Sequence, residues 1–183
     1  MTLSFEHPRA RRDQSNDDDK PADAFDPADI RVLVVDDHAF AREIMRYALE
    51  AFGFRTVFEA SHGQRALEVM AEERIDLVLV DYRMPVMDGI EFTRAVRTGA
   101  TGDPGMPIVM VSSHTDVDRV RAAVDAGVHE FVAKPFKAVD LYQRIHSALT
   151  ATRPFISVPG YAGPSRRAGR PVEGLPADLE TAA

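Results

Sequence analysis

Polar residues with complementary chemistry stand directly after short apolar runs of this sequence. Asp36 and Asp37 follow IRVLVV, Asp81 follows DLVLV, Ser112 follows PIVMV and Lys134 follows EFVA. Three neighbouring carboxylates repel one another unless a cation lies among them, and Mg²⁺ suits such oxygen ligands. A lysine can neutralise an incoming phosphoryl group, and a serine hydroxyl can hydrogen-bond its oxygen. The set therefore predicts phosphoryl transfer with an aspartate as the acceptor.

Each of these residues also has an ordinary structural explanation when it is taken alone. An aspartate at the end of a strand commonly caps the next helix, which would suit Asp36 or Asp37. A single lysine such as Lys134 is commonly a surface residue. It is their joint occurrence, each at its own strand end, that favours a functional site.

The segments that position these residues alternate between two patterns. Apolar β-branched runs predict five strands, at 30–35, 55–59, 76–80, 107–111 and 130–133. Stripes at helical spacing predict a helix after each strand, and the first stripe contains Phe40, Ile44, Met45, Ala48 and Phe52. Strict alternation is typical of an α/β fold with a doubly wound, five-stranded parallel sheet. Ligands of such sheets bind at the carboxyl ends of the strands, where the polar residues would meet.

Composition divides the chain into three parts. Residues 1–29 are acidic and aperiodic, which predicts a disordered segment. Residues 30–152 carry nearly all the periodic apolar sequence and are the predicted domain. Residues 153–183 are rich in Pro, Gly and Arg, which predicts an irregular tail. The alternative for the tail is a peptide that packs on the domain or captures a partner.

The overall composition excludes several classes of protein. The 183 residues include no cysteine, so a disulfide scaffold, a zinc ribbon and a catalytic thiol are excluded. A net charge of −7 disfavours electrostatic binding of nucleic acid by the chain as a whole. No apolar run approaches the ~20 residues of a membrane span, and the N-terminus has no secretory signal. We therefore expect a cytoplasmic protein.

Four blocks of the sequence resemble the receiver domain of two-component response regulators, the group that includes the chemotaxis protein CheY. The blocks are VLVVDDHAFAR, LVLVDYRMPVMDG, PIVMVSSH and FVAKPF. The resemblance covers roughly residues 30–152. It implies a CheY-like, flavodoxin-like (βα)5 fold with the strand order 2-1-3-4-5.

The resemblance also implies a role for each residue of the site. Asp81 would be the phosphoacceptor, attacking a phosphohistidine of a histidine kinase or a phosphotransfer protein. Asp37 would bind Mg²⁺ directly and Asp36 through water, with Asp81 and the backbone carbonyl of Arg83 completing the protein ligands. Ser112 would be the hydroxyl that moves toward the phosphoryl group.

The remaining implied roles concern the fifth strand and the rim of the site. Lys134 would pair with the phosphoryl oxygens, and its bond to Pro135 would be cis. Phe131 falls at the family's aromatic switch position, although a strand aromatic in the core explains it equally well. Arg83 and His114 fall at the two positions that tune the lifetime of the phosphoaspartate. Neither is an acid or amide that would readily position an attacking water.

The predicted function is that of a single-domain response regulator. The 31 residues at 153–183 are too few for a DNA-binding output domain, so output would pass through protein contact or phosphate relay. The contact surface implied by the family is the fourth helix, fifth strand and fifth helix. The protein would catalyse only its own phosphorylation and dephosphorylation.

Two alternative functions are considered beside that of a response regulator. One is a magnesium-dependent phosphatase of the haloacid dehalogenase kind, which needs an acid two residues after the nucleophile, where this sequence has Arg83. The other is a degenerate receiver that binds partners without phosphorylation. The complete set of acids, Ser112 and Lys134 argues against it.

Overall fold

Five parallel strands form one sheet with helices on both faces. The computed structural model describes residues 25–100, 103–150 and 153–165. The sheet strands are β1 (Arg31–Val35), β2 (Thr56–Ala60), β3 (Leu77–Asp81), β4 (Ile108–Ser112) and β5 (Glu130–Ala133). The helices are α1 (Ala39–Ala51), α2 (Gly63–Glu72), α3 (Gly89–Arg97), α4 (Val117–Ala126) and α5 (Ala138–Thr150). The strand order is β2-β1-β3-β4-β5, which confirms the predicted fold class and topology.

The central strands are apolar on both faces because helices cover both. In β1, Leu33 and Val35 belong to the core cluster that includes residues of α2, α3 and α4, whereas Val32 and Val34 belong to the cluster that includes residues of α1 and α5. Successive side chains of a strand point to opposite faces, so one continuous apolar run supplies both layers. No helix within the described parts of the chain is long and apolar enough to cross a membrane.

The predicted apolar stripe of α1 is partly wrong. Met45 and Leu49 are buried, but Phe40 is 73% exposed and Ile44 is 43% exposed. Each residue turns an α-helix by about 100°, so Ile44 and Met45 point in different directions. Phe40, Ile44 and Tyr47 form a second apolar stripe on the outward side of α1.

The domain extends beyond the predicted boundary at residue 30. Pro27–Asp29 form a short 3-10 helix that Asp26 caps, and the Phe25 ring lies 6.2 Å from the Phe54 ring. These residues were predicted to be disordered, but Phe25 packs against the α1 and α5 side of the core. The rest of the predicted acidic segment, residues 1–24, lies outside the described residues.

The predicted irregular tail contains an antiparallel hairpin. Its strands are β6 (Phe155–Val158) and β7 (Tyr161–Pro164), and β7 packs against α3 and α4. This segment therefore matches the alternative interpretation, a peptide that packs on the domain. Residues 166–183, which include the remaining arginines of the tail, lie outside the described residues.

A buried guanidinium organises the edge of the sheet where β4 and β5 begin. Arg97 is 4% exposed and donates hydrogen bonds to the carbonyl oxygens of Pro104, Met106 and Gly127. Burial lowers its pKa to about 10, so it stays charged at neutral pH. The Nδ1 atom of His129 lies 3.2 Å from Nη2 of Arg97 and 3.2 Å from the backbone N of Ile108, so it accepts from both.

The His129 ring links folding stability to pH. Burial, followed by the charges of Arg97 and Arg153, lowers its pKa from 6.5 to about 3. Between pH 6.5 and 3, His129 binds a proton in the unfolded chain but stays neutral in the folded chain. The free energy of unfolding therefore falls as the pH drops below 6.5. At about 1.4 kcal/mol per pK unit, we expect a loss of about 2 kcal/mol between pH 7.5 and 5 from this group.

Urea unfolding at the two pH values measures this loss. His129→Asn keeps a hydrogen-bond acceptor but does not titrate. Between pH 7.5 and 5, its free energy of unfolding should therefore fall by about 2 kcal/mol less than that of wild type. His146→Asn, at an exposed position of α5, should keep the wild-type dependence. Equal pH dependence of His129→Asn and wild type would contradict the prediction.

Candidate functional site

The ends of four strands meet in one cleft, as predicted. Asp36 and Asp37 follow β1, Asp81 ends β3, Ser112 ends β4 and Lys134 follows β5. The cleft is lined by both acids of the first loop, by Asp81, Arg83 and Lys134, and by His38, Phe40, Ala41, Met84, Pro85, Ser113 and His114. Ser112 itself is fully buried beneath this lining.

The centre of the site is a lysine between two buried carboxylates. The Lys134 Nζ atom lies 2.6 Å from Oδ2 of Asp36 and 2.6 Å from Oδ1 of Asp81. Burial by itself would lower the pKa of Lys134, but its hydrogen bonds to Asp36 and Asp81 outweigh that effect and raise the pKa. The lysine is therefore charged at neutral pH and compensates two acids that are 1% and 8% exposed.

The second oxygen of each buried carboxylate is held by a backbone amide. Oδ2 of Asp81 accepts from the N–H of Arg83 at 2.8 Å, and Oδ1 of Asp36 accepts from the N–H of His38 at 2.9 Å. His38, rather than either acid, is the N-cap residue of α1 and makes no side-chain cap. The simple capping explanation for Asp36 and Asp37 is therefore wrong.

The first loop offers oxygen atoms that suit a hard cation. One ligand atom each from Asp36, Asp37 and His38 lie within 4.8 Å of one another. Asp37 is the more accessible acid, and its Oδ1 lies 2.9 Å from Nδ1 of His38. Asp81 faces the same cleft and is joined to Asp36 through Lys134. Carboxylate oxygens at an open cleft fit Mg²⁺, which keeps several waters.

The loop between β3 and α3 is closed by a glycine and a capping box. A Cβ atom on Gly89 would lie 2.2 Å from the carbonyl oxygen of Asp81, so no side chain fits there. The Gly89 N–H donates to the carbonyl of Tyr82 at 3.0 Å. Asp88 and Glu91 cap the start of α3 reciprocally, which fixes the end of this loop.

Of the residues predicted to switch and to tune, Arg83 and His114 line the cleft, whereas Ser112 is buried and Phe131 packs on the core. The Ser112 Oγ atom accepts from the N–H of His114 at 3.0 Å. Phe131 is half-buried and packs on the side of the sheet that α2, α3 and α4 cover. Arg83 and His114 both line the cleft, and the Lys134–Pro135 peptide bond is cis, as the resemblance implied.

Sequence reasoning missed Arg42. Its Nη1 atom donates to the backbone carbonyl of Asp36 at 2.7 Å, and its Nε atom donates to Oε2 of Glu59 at 3.0 Å. Arg42 thereby ties the acidic loop to the end of β2. The available signal was its position six residues after Asp36, where the first turns of α1 bring a long side chain back over the loop.

Apolar side chains flank the acids. Phe40 lines the cleft while being 73% exposed, and Val86 in the loop after β3 is 79% exposed. Val86 also has a φ of 69°, a conformation that is strained for a β-branched residue. The cleft is thus an acidic pocket with an exposed apolar rim.

Known proteins with similar sequences are response regulators. The chain is 37% identical over 125 residues to the response regulator MprA of Mycolicibacterium vanbaalenii, covering 68% of this chain and 52% of that protein. It is 38% identical over 119 residues to the DNA-binding response regulator MtrA of Mycobacterium tuberculosis, covering 65% of this chain and 50% of that protein. The chain spans about half the length of the curated relatives it matches.

Similar solved structures are receiver domains. The chemotaxis protein CheY4 of Vibrio cholerae aligns with a TM-score of 0.61 at 30% identity, covering 66% of this chain and 98% of that one. The receiver domain of the sensor histidine kinase PA1611 from Pseudomonas aeruginosa aligns with a TM-score of 0.59 at 28% identity, covering 67% and 98%. That structure has a magnesium ion coordinated in its active-site cleft.

The family model for the response regulator receiver domain matches residues 32–146. This match spans β1 to α5 and includes every residue of the cleft described above. It removes the phosphatase alternative, whose required second acid is also missing. The chain therefore belongs to the response regulator receiver domain family, the CheY-like receivers of two-component signalling.

Proposed function

We propose that this chain accepts a phosphoryl group on Asp81 from a phosphohistidine of a histidine kinase or phosphotransfer protein. It then signals by phosphorylation-dependent protein contact, or it passes the phosphoryl group on. The observation that carries the proposal is the charged Lys134, which lies 2.6 Å from both Asp36 and Asp81. This lysine balances the acids before transfer and can balance the phosphoryl oxygens after it.

The chemistry follows from the contacts of Asp81. A carboxylate oxygen attacks phosphorus, the phosphorus–nitrogen bond to the donor histidine breaks, and the electron pair leaves with the imidazole. Mg²⁺ would be held by Asp37, Asp81 and the Arg83 carbonyl, and by Asp36 through water, and would supply positive charge against the transferred phosphoryl oxygens. The Arg83 N–H already holds one Asp81 oxygen and orients the carboxylate.

The apolar rim supports a protein as the phosphoryl donor. Phe40 on α1 lines the cleft and is exposed, as are Ile44 on the same helix and Val86, which follows the cleft residue Pro85. Exposed apolar groups rimmed by polar residues mark contact sites for proteins. A donor that covers this rim would exclude water from the phosphohistidine during transfer.

The switch is proposed to use Ser112 and Phe131. A phosphoaspartate adds charge of about −1.5 to −2 and three strong acceptor oxygens. The Ser112 hydroxyl, which accepts from the N–H of His114, can donate its proton to one of these oxygens. Its inward movement leaves space on the α4 side of the sheet, where Phe131 lies half-buried. The contact surface for a downstream protein would be α4, β5 and α5.

Arg83 and His114 are proposed to tune the lifetime of the phosphoryl group. Both line the cleft, and neither side chain is an acid or amide that would position an attacking water. This chemistry favours a slow rather than a rapid hydrolysis of the phosphoaspartate.

A DNA-directed output is the second candidate, because MtrA is named as DNA-binding. The net charge of −7 argues against a direct grip on DNA by this chain. Protein contact is therefore the output that the chain's own chemistry favours.

Intact-mass measurement after incubation with Mg²⁺ and acetyl phosphate tests the acceptor. The wild type should gain one phosphoryl group and Asp81→Ala none, because the attacking carboxylate is gone. Asp29→Ala, which removes an exposed acid outside the cleft, should label like wild type. Equal labelling of Asp81→Ala and wild type would remove Asp81 as the acceptor. A wild type that gains none would favour the degenerate receiver.

The affinity for Mg²⁺, measured by amide NMR titration, tests whether Arg42 positions the acidic loop. Loss of a partner that orients ligands typically costs 10–100-fold in metal affinity, so Arg42→Ala should weaken Mg²⁺ binding about tenfold. Arg46→Ala is the matched control, because Arg46 also pairs with Glu59 but otherwise contacts Glu50 and Tyr47 of its own helix. Arg42→Lys should restore part of the affinity. Equal affinities of Arg42→Ala and Arg46→Ala would refute this role.

Amide NMR with Mg²⁺ and beryllofluoride, whose fluorides stand in for phosphoryl oxygens, tests the switch. Wild type should shift across residues 115–150, and Ser112→Ala and Lys134→Ala should shift much less, because each lacks a contact to the phosphoryl oxygens. Ser113→Ala removes the neighbouring, exposed hydroxyl and should behave as wild type. Wild-type shifts confined to the loops around Asp81 would favour a simple phosphate carrier.

A further inference from the structure

The hairpin and the end of α4 touch backbone to backbone. Gly127 ends α4 with a φ of 97°, a left-handed conformation that suits glycine. A Cβ atom on Gly163 of β7 would lie 2.8 Å from the Cα atom of Gly127. A Cβ atom on Gly127 would lie 2.3 Å from the carbonyl oxygen of Ala162. This approach therefore requires glycine on both sides.

The hairpin is anchored to parts of the domain other than α4. The Arg153 guanidinium, just before β6, pairs with the buried carboxylate of Glu130 at 3.2 Å. The Phe155 ring lies 6.0 Å from the buried guanidinium of Arg97 on α3. The hairpin therefore contacts α3 and the start of β5 independently of its contact with α4.

The helix that it holds has a small buried face. Within α4 the buried residues are Val120, Ala123 and Ala126, which bury little apolar surface. Ala123 and Ala126 belong to the core cluster on this side of the sheet, and α4 also packs against α3 and β7. The hairpin therefore supports α4 together with α3 and the core of the sheet.

The opposite end of α4 lies next to the cleft. Asp116 caps the helix, and the preceding Ser113 and His114 line the cleft above Ser112. A helix of ten residues is about 15 Å long and moves as a rigid unit. If the first turn of α4 moves with Ser112, Gly127 at the other end of the helix would therefore move relative to the hairpin.

We propose that the β6–β7 hairpin is a clamp on the C-terminal end of α4 that opposes the rearrangement driven by phosphorylation. The clamp rests on the proposed phosphorylation of Asp81. Phosphorylation displaces α4 and loosens the hairpin, and release of the hairpin favours the phosphorylated conformation. Linkage makes these two effects equal in size, and such couplings are typically about 5- to 150-fold.

Hydrogen exchange of backbone amides tests the first effect in the full chain. Residues 155–164 are followed with and without Mg²⁺ and beryllofluoride, and binding is read independently from the amides of residues 82–89. The clamp predicts that the hairpin amides exchange at least about five times faster with beryllofluoride.

Beryllofluoride affinity tests the reciprocal effect. Gly163→Val places a side chain against Gly127 and undocks the hairpin, so its affinity should rise at least about fivefold. Phe155→Ala removes the ring over Arg97 and should raise the affinity by a different route, which guards against misfolding of the first variant. Ser157→Val introduces the same side chain at an exposed hairpin position and should match wild type.

The outcomes separate the clamp from the function on which it rests. Shifted amides at 82–89 with unchanged hairpin exchange, or with equal affinities in all variants, overturn the clamp alone. Unshifted amides at 82–89 overturn the proposed phosphorylation and the clamp together. Faster hairpin exchange with tighter binding by Gly163→Val and Phe155→Ala supports the clamp.

Discussion

The ammonium group of Lys134 between two buried carboxylates is the interaction on which the cleft depends. Asp36 and Asp81 come from different strands and are almost completely removed from water. Without a cation between them, the two buried carboxylates would repel one another. The lysine therefore ties the ends of β1, β3 and β5 together at their carboxyl edge.

The fold holds this charged centre through backbone groups. The amides of His38 and Arg83 hold the remaining oxygens of the two acids, and Gly89 closes the loop after β3 where no side chain fits. Arg42 fixes the carbonyl of Asp36 from the other side. Because the backbone is anchored in a sheet buried on both faces, these groups stay preorganised for a ligand that changes the local charge.

A second charged centre lies at the opposite end of the sheet, where β4 and β5 begin. Arg97 is buried among carbonyl oxygens beside a neutral His129, and the hairpin packs over it. Here the guanidinium at the end of α3 donates to the carbonyl of Gly127 after α4 and contacts His129, which accepts from the N–H of Ile108 at the start of β4. Since α4 runs from the cleft to this second centre, one helix with a small buried face connects the two ends of the sheet.

The sequence by itself determined the sheet, its helices and the acids, serine and lysine of the cleft. Strand and helix periods are local, and a residue after a parallel strand lies at the carboxyl edge whatever its partners are. Tertiary structure decided which apolar residues are covered: Phe40 stays outside, whereas Phe25 packs on Phe54. It also decided the docking of the hairpin and the contact of Arg42 with the acidic loop. These depend on distances between segments far apart in the chain, which local periodicity does not encode.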